Sequence, residues 1–366
     1  MKFTILTKNL QQGLNTVKNI VGKNLNLPIL NTILVAAKNN QINLSTTNLE
    51  LGINYRLPAS TQEEGKIAVP AKIFSDFLSG IKDEKIDFNL KENILNIQSG
   101  YFKTKIICFN HGDFPLIPKL KNGKIAVIPS QVLKTAFNSV FDSVSLSQTR
   151  PELSGVFVNF NKNKIYFAST DSFRLTERII DYNSNNQISV IIPRNTVAEM
   201  IKILSDCEDN ISISVEENQI QFSSENFEVI SRLIEGRYPD YQKVIPARSL
   251  SQISLNKEDL QNNIRLAGFF ASSINDIGLK ADSKELAVFA KNSERGEFNS
   301  RIKSQSGFKI DEPFEVLLNF GYLADGLKNI PSEEIIFEYT GEGAPVVLKP
   351  KDKDLNFIYL IMPLKN

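Results

Sequence analysis

Gly236-Arg237-Tyr238-Pro239-Asp240-Tyr241 is the stretch that decides how this 366-residue chain is organised. An aromatic-Pro step stands at Tyr238-Pro239, another at Phe114-Pro115, and a Met-Pro step at Met362-Pro363, each 124 residues from the next. A fixed period that runs through a whole chain marks tandem structural repeats. Two further series keep it. Ile73, Val197 and Tyr322 stand near the start of apolar runs with helical spacing, 124 and 125 residues apart. Leu10, Leu133 and Leu260 do the same for an earlier helix, 123 and 127 apart. Three series with one period predict three domains, at 1–122, 123–248 and 249–366.

Each domain reads as a doubled unit. Leu10/Leu14/Val17/Val21 and Ile73/Phe74/Phe77/Leu78/Ile81 mark two amphipathic helices in the first domain. Leu133/Ala136/Phe137/Val140/Val144 and Val197/Met200/Ile201/Leu204 mark two in the second, and Leu260/Ile264/Ala267 and Phe320/Leu323/Leu327 two in the third. Spacings of three and four residues put each set on one buried face. The steps Val69-Pro70, Ile128-Pro129 and Ile192-Pro193 predict Pro at the first helical position, where a missing N–H costs nothing. Alternating runs separate the helices. Ile86–Leu90 and Ile94–Ile97 flank the turn Lys91-Glu92-Asn93, and Ile211–Val215 and Gln219–Phe222 flank Glu216-Glu217-Asn218. Period-two alternation across a polar turn is a hairpin. The class is therefore α+β, with a sheet face buried under two helices in each domain. Lys121–Lys124 and Ala247–Ser251 read as linkers.

Composition narrows the function. Hydrophobic residues make up 42% and charged residues 23%, ordinary for a folded domain. Lys+Arg 42 against Asp+Glu 41 leaves +1, so no bulk basic charge advertises a nucleic-acid binder. No apolar run approaches the ~18 residues of a membrane span, and Met1–Ile5 alternates like a strand rather than a signal peptide, which predicts a cytoplasmic protein. Cys108 and Cys207 stand far apart, outside any paired spacing, and read as small buried hydrophobes rather than a disulfide or zinc set. His111, beside Gly112-Asp113, reads as a loop histidine. Phosphate-cradling and dinucleotide glycine loops and a His-Glu-x-x-His helix are absent, and Gly341-Glu342-Gly343 is a lone turn. Asp206, Glu208 and Asp209 read as a solvated acidic loop. The expectation is a protein that is not an enzyme and carries no cofactor and no metal.

Five segments, in this order, carry a resemblance that spans the whole chain. They are Met1–Thr4, Leu27-Pro28-Ile29-Leu30, Ala168–Leu175, Gly236–Tyr241 and Tyr359–Leu364. Together they resemble the bacterial DNA polymerase III beta subunit, the sliding clamp. The resemblance implies three tandem domains of the DNA-clamp fold and a head-to-tail homodimer, a six-domain ring with helices lining a hole around duplex DNA. It implies a processivity factor that tethers the replicative polymerase catalytic subunit and other repair and replication proteins, and is loaded by an ATP-driven clamp loader. A three-repeat scaffold that binds partner peptides without encircling DNA is the alternative.

A sliding ring needs diffuse positive charge that touches phosphates without reading bases. The helix windows 7–23, 70–82, 131–149, 193–205, 256–270 and 318–330 hold 11 basic and 6 acidic residues, a net of +5 in a chain of +1. Lys8, Gln11, Asn15 and Lys18 share one helical face, and Lys257, Gln261 and Arg265 another. Together with Lys134, Arg194 and Lys202 of the helix windows, and with Lys23 and Arg150 as the resemblance places them, these basic residues are the expected DNA-facing set. Pro151-Glu152 follows Arg150 where a relative carries aromatics, which argues against a tight single-strand contact.

The resemblance also implies a partner-peptide cleft. Its expected residues are Leu153, Thr170, Ser172, Phe173, Arg174, Leu175, Pro239, Lys243, Val244, Pro345, Val346, Leu360, Met362, Pro363 and Leu364. Phe173 stands where histidine is frequent and Lys243 where arginine occurs, changes that alter which peptide fits. Ring closure is expected to set Thr104 and Ile106, in the strand 103–109, against Phe269 and Phe270 of a second copy.

Overall fold

The chain is seen in a computed structural model, whose described residues are all but 23–25, 121–122, 148, 184–185, 304–307, 311 and 366. The expected DNA-facing Lys23 lies outside them. Among the described residues the α-helices are α1 (Thr7–Val17), α2 (Ala71–Ser79), α3 (Ser130–Phe141), α4 (Arg194–Ser205), α5 (Lys257–Gly268) and α6 (Phe320–Asn329). All the expected helices and both hairpins are present, the latter as Lys85–Lys91 with Ile94–Ser99 and Asn210–Glu216 with Gln219–Ser223.

Two compact units form. The first comprises residues 1–134 and 195–233 and the second residues 135–194 and 234–366, so each holds one terminal repeat and half of the central one. Strand pairing explains the division. In the first unit an eight-stranded sheet runs without a break from Phe227–Arg232 of the central repeat to Leu51–Pro58 of the first, antiparallel with Phe227 opposite Tyr55 and Ser231 opposite Leu51. A five-stranded sheet, from Ser60–Glu63 at one edge to Phe102–Ile107 at the other, completes that unit. In the second unit a nine-stranded sheet joins Arg174–Asp181 to Phe357–Ile361, with Arg174 opposite Ile361 and Arg178 opposite Phe357. A four-stranded sheet there begins at the edge strand Gly296–Lys303.

The helices bury the faces their spacing assigns. Leu10, Leu14 and Val17 of α1 are buried, as are Leu260, Ile264 and Ala267 of α5, each larger side chain contributing on the order of 2 kcal/mol. Gly326 lets α6 lie against the Tyr359 ring, since a Cβ there would stand 2.4 Å from it. Ile73 departs from its expected face. It is 59% exposed, while Phe74 and Leu78 carry the buried stripe of α2.

One device recurs at the start of each domain. The first helical residue sends its backbone N–H to a carbonyl beyond the second helix: Thr7 to Glu84 at 2.9 Å, Ser130 to Asp209 at 3.0 Å, Lys257 to Glu333 at 2.8 Å. The same residue's side chain donates nearby, Thr7 Oγ1 to Asp83 O at 2.5 Å, Ser130 Oγ to Cys207 O at 2.6 Å and Lys257 Nζ to Ile330 O at 3.0 Å. These bonds satisfy groups that helix ends otherwise leave orphaned.

Three expectations need correction. Pro70, Pro129 and Pro193 do not open helices. Each is the last residue of a strand, Gly65–Pro70, Ala126–Pro129 and Ile188–Pro193, and all three strands are sheet edges, where a missing donor breaks no ladder. The helix expected over 131–149 ends at Phe141. Beyond it Asp142 accepts from Asn329 Nδ2 at 2.9 Å, Ser143 Oγ lies 2.6 Å from Thr176 Oγ1, and Ser145 N–H reaches Leu153 O at 3.0 Å. Polar partners outside the helix thus replace its next turn, although Val144 stays buried. The window 7–23 likewise narrows to α1 and a 3-10 turn, Lys18–Ile20.

Candidate partner-peptide cleft and DNA-facing side chains

Three segments of the second unit meet at the junction of Arg174–Asp181 with Phe357–Ile361. Leu153, Leu175 and Leu360, three of the residues expected of the cleft, are buried there in one apolar cluster. The cluster also contains Tyr238, Tyr241 and Val347, with Phe157 packed against it, and sequence reading missed these four. Phe157 stacks on Tyr238 with centroids 4.8 Å apart, and both tyrosines belong to the Gly236–Tyr241 segment that marked the repeat. Their aromatic pairing was a visible signal whose use depended on knowing which strand lay beneath. Tyr241 donates to Glu177 Oε2 at 2.6 Å. Burial pushes the Glu177 carboxyl up, and burial followed by the Glu177 charge pushes the Tyr241 phenol up.

Around that floor, Thr170 Oγ1 donates to Arg174 O at 2.6 Å and ties the loop Thr170–Arg174. Ser172 sits at φ 79°, and the turn leaves Phe173 60% exposed. Phe173 and Val244, 51% exposed, are the accessible apolar side chains. Pro239, Pro345, Met362, Pro363 and Leu364 are half-buried, while Val346 is buried entirely. Lys243 is exposed and 2.9 Å from Asp240. These residues thus set a few open hydrophobes over an aromatic floor, an arrangement whose chemistry suits a peptide anchor.

Arg174 is different from its neighbours. Its guanidinium meets Asp171 at 2.9 Å and Asp325 at 2.5 Å and lies 4.4 Å from the Tyr322 ring centroid. Burial lowers its pKa, but Tyr359 and the two carboxylates outweigh that and hold it above the ordinary value. Arg174 therefore fastens the loop to α6 and is occupied structurally rather than open to a ligand.

The expected DNA-facing residues separate into free and tied cations. Lys8 and Lys18 are exposed on one side of α1 and its 3-10 extension, with Lys18 Nζ 2.7 Å from Asn15 Oδ1. Gln11 does not join that stripe. Its Nε2 donates to Leu78 O at 2.8 Å and Ile81 O at 3.1 Å, capping α2. Lys257 is half-buried and held by Ile330 O, which removes it from the free stripe, whereas Arg265 is exposed and bonded, among the described residues, only to its helix neighbour Asn262. Arg194 is half-buried with its guanidinium 4.3 Å from the Phe141 ring centroid. Lys202 is exposed and pairs with Glu199 at 2.7 Å, Arg150 pairs with Glu152 at 3.1 Å, and Lys134 is half-buried.

At the edges, Ile106 is 5% exposed and packs into its own domain, and Thr104 is half-buried. Sequence reading missed Ile107, 77% exposed on the same strand, because the parity of the strand is set by its partner Ile94–Ser99. Phe269 is 61% exposed, and Phe270 is half-buried, stacked on Phe298 at 6.2 Å. Cys108 and Cys207 are buried and free, and burial pushes the Cys108 thiol up to about 11. His111 is exposed in a 3-10 turn. No group of three metal-ligating side chains occurs among the described residues, and no helix is long and apolar enough to cross a membrane.

Known proteins share this architecture. Family models of the DNA polymerase III beta subunit match in series: its N-terminal domain over residues 1–118, its central domain over 127–240 and its C-terminal domain over 242–365. Beta sliding clamps of Staphylococcus epidermidis and Staphylococcus aureus are each 28% identical, over 100% of this chain and 99% of theirs. The solved DNA polymerase III beta chain of Streptococcus pneumoniae is 25% identical, with a TM-score of 0.94 over 100% of both chains. The DNA polymerase sliding clamp of Bacillus subtilis, at 24% identity, has the same fold, with a TM-score of 0.95 over 100% of this chain and 99% of that one. The repeat, the shared sheets and these matches have one source: the chain belongs to the DNA polymerase III beta subunit family.

Proposed function

We propose that the protein is a DNA sliding clamp, a processivity factor without chemistry of its own, in which two copies close a ring around duplex DNA. One observation carries the ring. The last strand of a repeat's first half pairs with the last strand of the next repeat's second half at both internal junctions, Leu51–Pro58 with Phe227–Arg232 and Arg174–Asp181 with Phe357–Ile361. The equivalents left over are the edge strands Gly296–Lys303 and Phe102–Ile107. A second copy satisfies both, head to tail, and the two-fold axis makes two identical interfaces.

The register follows from the same equivalence. Phe298 falls opposite Thr104 of the other copy, Glu297 opposite Lys105 and Gly296 opposite Ile106. The exposed apolar side chains Ile73, Phe102 and Ile107 on one side and Phe269 and Ile274 on the other are then covered. Exposure of this kind on a soluble protein marks an interaction surface.

Enclosure makes sequence readout unnecessary. Lys8, Lys18, Arg265 and Lys202, together with Lys134, Arg150, Arg194 and Lys257 in supporting roles, supply diffuse charge toward phosphates, which holds DNA loosely enough to slide. The cleft around Phe173, Val244 and Met362 takes short apolar segments of the replicative polymerase and of repair proteins. A closed ring needs an external ATP-driven loader to admit DNA. The setting is the cytoplasm, where the chromosome lies.

Retention on DNA tests the reading. The protein, loaded onto nicked circular DNA, stays bound through a high-salt wash and departs once the circle is cut. Loss in salt from circular and linear DNA alike indicates a charged surface or a peptide-binding scaffold, and overturns the ring.

A further inference from the structure

The loop Thr47–Leu51 repeats the loop Thr170–Arg174 bond for bond. Thr47 Oγ1 donates to Leu51 O at 3.0 Å, and the Leu49 N–H donates back to Thr47 Oγ1 at 3.0 Å, as the Ser172 N–H does to Thr170 Oγ1 at 3.1 Å. Asn48 Oδ1 accepts from the N–H groups of Glu50 and Leu51 at 3.0 and 2.8 Å, and Asp171 Oδ1 from those of Phe173 and Arg174, both at 3.0 Å. Leu49 has φ 77° where Ser172 has 79°. The Arg232 N–H donates to Glu50 O at 2.8 Å, as the Met362 N–H does to Phe173 O at 2.8 Å. The frame of the peptide cleft is therefore built twice, once in each unit.

The side chains on the first frame differ in a directed way. Gly52 stands where the peptide cleft has Leu175, and Ile117 fills the space, its Cγ2 3.0 Å from where a Cβ on Gly52 would lie. A cavity of about 360 Å³ remains beside it, bounded by Leu49, Leu116, Glu50 and Arg232 among others. Leu116 is 97% exposed and Leu49 46% exposed. A leucine held at positive φ is strained, and such strain gathers at ligand sites. Arg232 replaces Met362; it is exposed and joined to no carboxylate among the described residues.

We propose that this first junction is a second docking cleft, for a short partner segment in which a bulky apolar residue stands next to an acidic one. The proposal rests on the peptide-cleft reading of the second junction. Charge decides the occupant. Leu49 and Leu116 hold the apolar side chain, and the Arg232 fork receives the carboxylate, which Met362 at the other cleft does not attract. Glu50, in the place of Phe173, repels a second acidic residue at the opposite rim and so sets the direction of the segment. The two clefts thereby sort partners by charge rather than compete for one motif.

A photo-crosslinking peptide tests this on the full chain. The probe is Gly-Ser-Leu-Asp-Phe-Gly-Ser with a benzophenone on the Phe ring, its control carries Asn for Asp, and adducts are mapped by mass spectrometry. Adducts are expected within 47–52 and 115–118, reduced at least fivefold by the Asn control, by Arg232→Gln and by Leu116→Asp. Both variant side chains are exposed, so the fold is kept, and labelling around Met362 by the uncharged Asn control serves as the internal reference. Absence of adducts in those segments, or adducts that both variants leave unchanged, overturns the proposal. Labelling around Leu116 by the acidic probe, with no labelling around Met362 by the uncharged Asn control, supports this cleft and overturns the one at the second junction.

Discussion

The backbone N–H of Met362 donates to the carbonyl oxygen of Phe173 at 2.8 Å, fastening the last residues of the chain to a loop of the central repeat. Leu364 adds a bond to Leu317 O at 2.9 Å. Met362, Pro363 and Leu364 are half-buried, and the sheet beneath ends at Ile361.

Deleting residues 362–366 therefore removes one wall of the cleft and no strand. The expected result is a folded protein destabilised by about 2 kcal/mol, from two lost hydrogen bonds and partial burial. Calorimetry with a polymerase-derived peptide is expected to show no binding. Unchanged affinity removes the cleft from this end of the chain.

Register at ring closure is open to a charge test. Glu297→Lys sets like charges opposite Lys105 at both interfaces, at roughly 0.7 kcal/mol each, so the dimer dissociation constant rises about tenfold. Combining it with Lys105→Glu restores the dimer. Sedimentation equilibrium reads both, and a double variant no tighter than the single one rules the register out.

Lys8→Ala with Lys18→Ala removes two exposed cations from α1 and its extension. DNA association is expected to weaken alike on every sequence, with the salt slope of log K falling by about 2. Fluorescence anisotropy on two unrelated duplexes across a salt series measures this. A sequence preference that emerges in the variant counts against pore-lining lysines.

Glu177 gives a signed pH dependence. Its carboxyl has a raised pKa in the folded state through burial, so the folded protein holds the proton longer than the unfolded chain. Its contribution is fully present below the unfolded value near 4.5 and declines as pH rises through the folded one. Glu177→Gln keeps an acceptor for Tyr241 and cannot ionise. Denaturation midpoints from pH 4 to 8 are expected to decline less with pH in the variant. Parallel curves show that the pair does not titrate in this range.

Sequence alone determined the repeat, the helices and the hairpins, because each is local. A 3.6-residue or two-residue period is written within a dozen positions, and Leu10, Leu133 and Leu260 carry it whatever lies around them. The outer residues of the proposed cleft were named through resemblance. Its floor was not. Tyr238 and Tyr241 became a floor only when Phe157 and Leu175 came beneath them from strands 63 to 84 residues away. Tertiary packing alone decided which polar groups are free. Gln11 and Lys257 looked like members of charged stripes, but carbonyls at the ends of α2 and α6 took their donors. It also decided which prolines close strands, since an edge exists only after a sheet has formed. Periodicity reports the face a residue occupies; the partner that meets that face is chosen by segments distant in sequence, and that choice is made by folding.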